Sequence, residues 1–137
     1  MPRLRLVIAL AAIALLASCV ERDASAVLQI EYWHEEAAVE FSYQVTCMGG
    51  VSLVEPEIDG IDAFLACESL SNSSIRNRLV DGPSEDESCT LEDFGDRAQI
   101  TGHLGDLAIA TTASRAGGCA EQDWMDLQAF LPTPVED

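Results

Sequence analysis

The sequence predicts an α+β domain in which an antiparallel sheet of about five strands carries one or two helices on one face. Three observations predict this class. Apolar and polar residues alternate strictly over residues 39–47, which is typical of a strand with one buried face. Apolar residues recur at three- and four-residue spacing over residues 59–70, which favours a helix. Four cysteines beyond the N-terminal segment predict two disulfides in an exported chain.

The first 18 residues have the features of an export signal. Arg3 and Arg5 precede an apolar run over residues 6–17, which is too short to span a membrane permanently. The run ends in Leu16-Ala17-Ser18-Cys19, which resembles the lipobox of bacterial lipoproteins. The resemblance implies cleavage before Cys19, a lipid anchor on Cys19 and a tether over residues 19–26.

The charge of the chain excludes some partners and favours others. Without residues 1–18 the chain keeps five arginines, no lysine and 24 carboxylates, a formal charge of about −19. Nucleic-acid binding is excluded because phosphate contacts need a basic patch. Electrostatic attraction to an anionic membrane is equally disfavoured, so the lipid anchor must hold the protein there. We expect a cell-envelope location: the outer membrane facing the periplasm in a Gram-negative host, because Val20 is not the aspartate of inner-membrane retention, and the cell surface otherwise.

The first half of the predicted domain, residues 27–132, contains two strands and a helix. Residues 27–33 and 39–47 read as strands, with His34 in the turn between them. Residues 48–56 read as a loop. The helix begins with Asp59 as N-cap and ends near Leu70, and its buried face is predicted at Ile61, Phe64, Leu65 and Cys67. Residues 75–80 read as either a short helical turn or an irregular lead.

The second half is predicted to be all strand and turn. Residues 97–101 form a short strand, residues 102–105 a tight turn that contains His103, and residues 106–112 a strand with Leu107 and Ile109 on one face. Residues 126–131 read as the last strand. Residues 133–137 form a C-terminal tail.

Between these halves lies an acidic segment, residues 81–96, rich in carboxylates around Cys89. Glycine and proline punctuate it, and its apolar residues show no period, so we expect a loop. Two interpretations remain open. The segment is either a solvated acidic loop pinned by a disulfide, or a presented loop that holds Leu91 out for the pocket of a partner.

Catalytic and metal-binding motifs are lacking. The sequence has no nucleophile-elbow pattern, no phosphate-binding glycine loop and no zinc-ligand spacing, and neither His34 nor His103 is near a cysteine. We therefore expect no enzyme activity, no cofactor and no metal. The residues alone leave three pairings open for Cys47, Cys67, Cys89 and Cys119.

The order of elements and cysteines resembles the Streptomyces subtilisin inhibitor family over residues 26–131. Two strands end at Cys47, a helix carries Cys67, a loop carries Cys89, and two further strands lead to Cys119. The stretch Cys89-Thr90-Leu91-Glu92 resembles the reactive site of that family. The chain departs from the family at Asp93, where an aromatic residue is usual, and at Gly117-Gly118, where the family has a bracing asparagine.

The resemblance implies a fold, two disulfides and a function. The fold is a sandwich of antiparallel sheet and helices, which in this family is often a homodimer through the open sheet face. The disulfides are Cys47–Cys67 and Cys89–Cys119. The function is inhibition of an extracytoplasmic serine protease with an apolar pocket, subtilisin-like or chymotrypsin-like, through a scissile bond at Leu91–Glu92. Its loop flanks are Ser88, Cys89, Thr90, Asp93 and Phe94. Asp93 and Gly117-Gly118 favour the alternative, a non-inhibitory envelope module of the same fold.

Overall fold

The structure is a computed structural model that describes residues 25–34, 39–83, 93–116 and 118–133, with the backbone alone at 93–94, 116 and 118–121. Within these residues the chain forms five strands, three α-helices and a short 3-10 helix at Gln128–Phe130. The strands and helices, in chain order, are β1 (Ala26–His34), β2 (Phe41–Met48), β3 (Val51–Glu55), α1 (Ala63–Ser69), α2 (Ser73–Asp81), β4 (Asp93–Leu104), β5 (Leu107–Ala116) and α3 (Gly118–Asp126).

The strands form one antiparallel sheet in the order β3-β2-β1-β4-β5. This confirms the predicted α+β class and the five-stranded sheet. Strand β3 corrects the prediction that residues 48–56 are loop. Gly49 and Gly50 both have positive φ and form a two-residue turn, so the chain reverses and Val51 pairs with Met48.

The core lies on one face of the sheet. Leu28, Ile30 and Tyr32 of β1 point into it, as the alternation predicts, and β2 adds Tyr43 and Val45. The helices cover this face, α1 against β2 and β3 and the other two against β5. The buried Tyr43 hydroxyl donates a 2.6 Å hydrogen bond to the Phe130 carbonyl. That bond ties the centre of the sheet to the C-terminal segment.

Helix α1 confirms two expectations and corrects two. The Cys47–Cys67 disulfide is present, with a Cα–Cα distance of 5.5 Å, and joins β2 to α1. The N-cap is Asp62 rather than Asp59, since the Asp62 carboxylate accepts a 3.0 Å bond from the Leu65 amide. This later start turns Ala66 inward, and Phe64 and Leu65 are more than half exposed rather than buried. The helix ends at Leu70, as predicted.

The segment after α1 is a regular helix. Asn72 caps α2 by accepting a hydrogen bond from the Ser74 amide. The helix then runs to Asp81 and ends at Gly82, which has a φ of 83°. Residues 75–80 are therefore part of a helix and not an irregular lead, and Asp81 belongs to that helix rather than to the acidic loop.

Strands β4 and β5 are longer than predicted. Gly102, His103 and Leu104 lie in β4, and the turn is at Gly105–Asp106 instead. Gly102 is required by packing and not by a turn, because a Cβ there would lie 2.0 Å from the Val27 carbonyl oxygen of β1. His103 is an exposed strand residue.

The predicted final strand at 126–131 is wrong. The chain there ends α3 and enters the 3-10 helix. Trp124, Leu127 and Phe130 are completely buried, and their three-residue spacing is that of a helical face. The prediction mistook this period for the alternation of a strand. The observed set of three α-helices also exceeds the one or two predicted.

Candidate functional site

The acidic segment joins two well-defined elements. On its N-terminal side α2 ends at Asp81. The next residue, Gly82, lies close to β5, because a Cβ built on it would be 3.8 Å from the Thr111 hydroxyl. On its C-terminal side β4 begins at Asp93, whose backbone pairs with Ala116 of β5. The two flanks are therefore attached to the same strand.

The C-terminal flank contains an irregularity in the β4–β5 ladder. The register shifts between Asp93 and Arg97, so that Asp93 pairs with Ala116 and Arg97 with Ser114. Gly95, at a φ of 82°, lies inside this bulge. A bulge of this kind bends the strand and redirects its side chains. Asp96 is the next residue of the chain after Gly95.

Asp96 is completely buried and surrounded by polar groups from two neighbouring strands. The Tyr32 hydroxyl donates a 2.6 Å bond to Oδ1, and His34 Nδ1 lies 3.3 Å from the same oxygen. Arg115 Nη1 donates a 2.8 Å bond to Oδ2. We call Tyr32, His34, Asp96 and Arg115 the Asp96 cluster. It connects β1, β4 and β5 close to the C-terminal flank of the acidic segment.

The contacts of the cluster fix the charge states of its members. Burial alone raises the pKa of Asp96, but the hydrogen bonds from Tyr32, Arg115 and His34, together with the Arg115 charge, outweigh burial and hold that pKa below its usual value. Burial and then the bond to Asp96 raise the pKa of Tyr32 far above its ordinary value. The cluster is thus an ionised carboxylate held by a neutral phenol and a guanidinium at neutral pH.

A second buried ionic group holds the N-terminal flank. Arg78 of α2 donates from Nη1 to the Thr111 hydroxyl at 3.0 Å and from Nη2 to the Thr112 carbonyl at 2.9 Å. Its Nε lies 3.5 Å from Asp123 of α3. Burial lowers the pKa of Arg78, and the Asp123 charge opposes that shift. Arg78 therefore fastens the last turns of α2 to β5 and α3.

The two groups, which together we call the frame, fasten the two described flanks of the acidic segment. Arg78 fastens the helix that enters it, and Asp96 fastens the strand that leaves it. Both act on β5, through Thr111 and Arg115. Removing one member of a buried ionic contact typically destabilises a protein by about 3–5 kcal/mol.

The structure describes some of the predicted reactive residues and not others. Ser88, Cys89, Thr90, Leu91 and Glu92 lie outside the described residues. Asp93 and Phe94 are the first two residues of β4, and Cys119 is in the first turn of α3. The Cys89–Cys119 bridge consequently stays a prediction.

The sequence prediction missed the Asp96 cluster, although the alternation contains its signal. Asp96 alternates in step with Ala98 and Ile100, so it lies on the same face of β4 as these two buried residues. Arg115 likewise lies on the same face of β5 as the buried Ile109 and Ala113. Continuing each strand by one repeat would have placed both charges on the inner face. His34 is also corrected, because it lies in β1 beside Asp96 rather than in a turn.

The described part of the chain contains no group of three or more His, Cys, Asp or Glu residues arranged to hold a metal ion. In the same part of the chain, no helix is long and apolar enough to cross a membrane. Comparison of the chain with protein-family models, with curated proteins and with solved structures gave no match in any of the three.

Proposed function

We propose that the protein is a membrane-tethered inhibitor of a serine protease with an apolar primary pocket, subtilisin-like or chymotrypsin-like, and that it binds through Leu91 and Glu92. The observation that carries the proposal is the frame around the acidic segment. Two buried ionic groups, at Arg78 and Asp96, fasten its flanks to one strand. A solvated linker between two elements has no need of such anchoring.

Rigid flanks matter because a substrate-like inhibitor must bind without being processed. A flexible peptide loses conformational entropy on binding, whereas a preorganised loop has already lost it. In the proposed complex the residues around Leu91 lie extended against the protease as an added strand. The Leu91 side chain fills the specificity pocket, and its carbonyl oxygen occupies the oxyanion hole.

The predicted Cys89–Cys119 bridge completes the mechanism. It would fix the chain at Cys89, two residues before Leu91, while β4 holds Asp93, the residue after Glu92. Cleavage at Leu91–Glu92 would then release neither product. The new amine stays next to the acyl group, and the bond closes again.

Charge selects among target proteases. Glu87, Glu92 and Asp93 surround the proposed bond. They favour encounter with a protease whose active-site rim is basic, and they slow encounter with an acidic one. The Leu91 side chain occupies the specificity pocket of the protease, so a trypsin-like protease, whose pocket contains a buried aspartate, is disfavoured.

The test is a specificity change at one residue. Residues 20–137 should inhibit a subtilisin-type or chymotrypsin-type protease, and Leu91→Lys should transfer inhibition to trypsin. The matched control is Leu65→Lys, at an exposed leucine on α1, which should leave the specificity unchanged. Reduction of the disulfides should convert the inhibitor into a substrate cut at Leu91–Glu92.

Failure of the proposal has a clear form. If the intact protein inhibits no member of a broad serine-protease panel and is cut at many sites, it is not an inhibitor. If Leu91→Lys and Leu65→Lys change the protease specificity equally, Leu91 is not the residue that occupies the specificity pocket.

The alternative is a non-inhibitory envelope module that binds another protein or a second copy of this chain. The open face of the sheet favours it, because the inhibitory loop would play no part there. Strands β1, β2 and β4 present uncharged polar side chains on this face, including Gln29, Gln44 and Thr101, and Leu53 of β3 is 41% exposed beside them. Sedimentation of the purified domain tests the homodimer, and crosslinking in membranes followed by co-purification tests a different protein partner.

A further inference from the structure

One end of the sheet is formed by two hairpin turns on either side of the N-terminus of β1. Ala26 begins β1 and pairs with Cys47 of β2 and Leu104 of β4. The β2–β3 turn at Gly49–Gly50 and the β4–β5 turn at Gly105–Asp106 therefore lie at this same end. The Gly105 amide donates a 2.6 Å bond to the Ser25 carbonyl, which fixes the second turn to the start of the domain. We call this region the tether end.

Large apolar side chains are exposed at the tether end. Met48 and Val51 flank the first turn and are 51% and 58% exposed, and Leu107 at the second turn is 55% exposed. Turn-flanking positions of a soluble domain are usually polar, because nothing is gained there by apolar residues. Met48 and Val51 lie on the open face of the sheet, whereas Leu107 is on the other edge and has the parity of the inward-facing Ile109. The three side chains therefore form two separate apolar tips at one end of the sheet, which only a surface wide enough to span both tips, such as a membrane, would contact together.

The two hairpins at the tether end carry little charge. In residues 45–54 and 100–109 the only carboxylate is Asp106 and the only other ionisable group besides Cys47 is His103, although Glu21, Arg22 and Asp23 precede Ser25 and Glu68 follows the disulfide-bonded Cys67. The opposite end differs sharply. Glu40, Glu57 and Asp59 are exposed there, and β4 begins there with the acidic residues that lead to Asp96. The domain is therefore polarised along its strands.

The position of Cys19 identifies what covers this end. Five residues separate Cys19 from Ser25, so an anchor on Cys19 would hold Ser25 within about 20 Å of the lipid. The register places the two turns one and two residues beyond Ala26, about 3–7 Å further along the strand axis. The turns would thus be the first part of the domain to meet the membrane.

We infer that the two hairpin turns dock on the lipid surface through Met48, Val51 and Leu107, so that the acidic end of the sheet faces away from the membrane. The inference depends on the proposed anchor at Cys19. Contact is apolar rather than electrostatic, because an acidic domain is repelled by anionic lipid. Zwitterionic lipid is therefore the better surface.

Docking of this kind would orient the candidate site. Strand β1 has nine residues and spans about 27 Å, and Asp96 pairs with His34 at its far end. The C-terminal flank of the acidic segment would then stand away from the lipid. A soluble protease could approach it without contacting the membrane.

The experiment measures membrane contact at two labelled sites. The full chain is produced in a lipoprotein-processing bacterium, purified with its lipid and reconstituted into phosphatidylcholine vesicles. A nitroxide is attached at Val51→Cys in one sample and, as the control, at Ser42→Cys in another; Ser42 is exposed and pairs with Glu31 towards the far end. Electron paramagnetic resonance then compares collisions with oxygen, which concentrates in lipid, and with a nickel chelate, which stays in water. We expect a several-fold higher oxygen-to-nickel ratio at Val51 than at Ser42.

A triple substitution tests which side chains make the contact. With the nitroxide moved to Asp106→Cys, Met48→Ser/Val51→Ser/Leu107→Ser should lower the ratio to that of Ser42. The matched control, Val39→Ser/Phe64→Ser/Leu65→Ser, removes exposed apolar residues elsewhere and should leave the ratio high. Circular dichroism and the position of the Cys47–Cys67 bridge verify that both variants fold.

The possible failures can be told apart. Mass spectrometry that finds no acyl group on Cys19 would overturn the anchor and the docking inference together. An acylated protein with equal ratios at Val51 and Ser42 would overturn docking alone. Protease inhibition, assayed on the same vesicles, reports on the proposed function independently of both results.

Discussion

At the scale of single residues, one buried carboxylate connects the sheet to the candidate site. Asp96 is bonded by Tyr32 and Arg115 and contacted by His34, so its charge is compensated although it is completely buried. Such a buried ionic group stabilises the fold little more than apolar packing would, but loss of one partner lowers the free energy of unfolding strongly. Its role is to hold the N-terminal part of β4 against β1 and β5.

Asp96→Asn should lower the free energy of unfolding by about 3 kcal/mol, because the substitution leaves Arg115 largely buried opposite a neutral group. Denaturant unfolding followed by circular dichroism measures this change. Asp106→Asn is the matched control at an exposed turn and should change stability by less than about 0.5 kcal/mol. Equal effects of the two substitutions would contradict the role assigned to Asp96.

Acid should remove the same stabilisation. The pKa of Asp96 is lowered in the folded state, so its contribution is complete above the unfolded value of about 3.9 and is lost as pH falls through the lower folded value. Comparison with Asp96→Asn isolates this contribution from the relief of charge repulsion among the other carboxylates. The stability difference between the two proteins should shrink below about pH 4. A difference that stays constant from pH 7 to pH 2 would be inconsistent with an ionised Asp96.

At the scale of elements, the contact between β1 and β4 depends on a glycine inside a strand. Gly102 has a φ of 135°, and a Cβ there would lie 2.0 Å from the Val27 carbonyl oxygen and 3.2 Å from the Leu28 Cα. Backbone atoms cannot move away without separating the two central strands. The sequence suggested a turn at this glycine, whereas the need for it arises from the neighbouring strand.

Gly102→Ala should therefore destabilise the domain by about 3 kcal/mol or more, through overpacking added to backbone strain. Gly105→Ala is the control, since Gly105 also has a positive φ but no atom within 4 Å of its would-be Cβ. The control should cost only about 1–2 kcal/mol. Thermal and denaturant unfolding of both variants separates packing from strain, and a larger loss at Gly105 would refute the assignment.

The disulfide that joins β2 to α1 should contribute a further share of the stability. Cys47 and Cys67 are 20 residues apart. The chain-entropy estimate for a loop of this length is about 3 kcal/mol. Cys47→Ala/Cys67→Ala should lower the free energy of unfolding by that amount in denaturant titration. An unchanged midpoint would show that helix α1 is held by its apolar contacts alone.

At the scale of the whole molecule, the sheet has a charge-poor end at Ala26 and an acidic end at His34. The proposed lipid on Cys19 lies near the first, and the C-terminal flank of the acidic segment lies at the second. This polarity suits a tethered protein whose binding site must reach into solvent. It follows from strand direction, because β1 starts at one end and β4 at the other.

Cys19→Ala should release the protein from membranes into the soluble fraction, because nothing in its charge attracts it to anionic lipid. Membrane fractionation followed by immunoblotting measures the release. The released domain should keep its inhibitory activity, since Cys19 is distant in sequence from Leu91. Continued membrane association of Cys19→Ala would contradict a lipid anchor at this residue.

The sequence by itself determined the α+β class, four of the five antiparallel strands and the inward faces of β1 and β2, because alternation within a strand is a local property. The resemblance to a family added the Cys47–Cys67 pairing, which the structure confirms. Only the tertiary structure decided that Phe64 and Leu65 face outward, that Val51 pairs with Met48 as an edge strand, and that Asp96 is bonded to Tyr32 and Arg115. Each of these depends on contacts between distant residues, such as Tyr32 with Asp96 and Tyr43 with Phe130. A local pattern cannot specify which distant strand or helix supplies the partner, and that partner determines whether a side chain is buried.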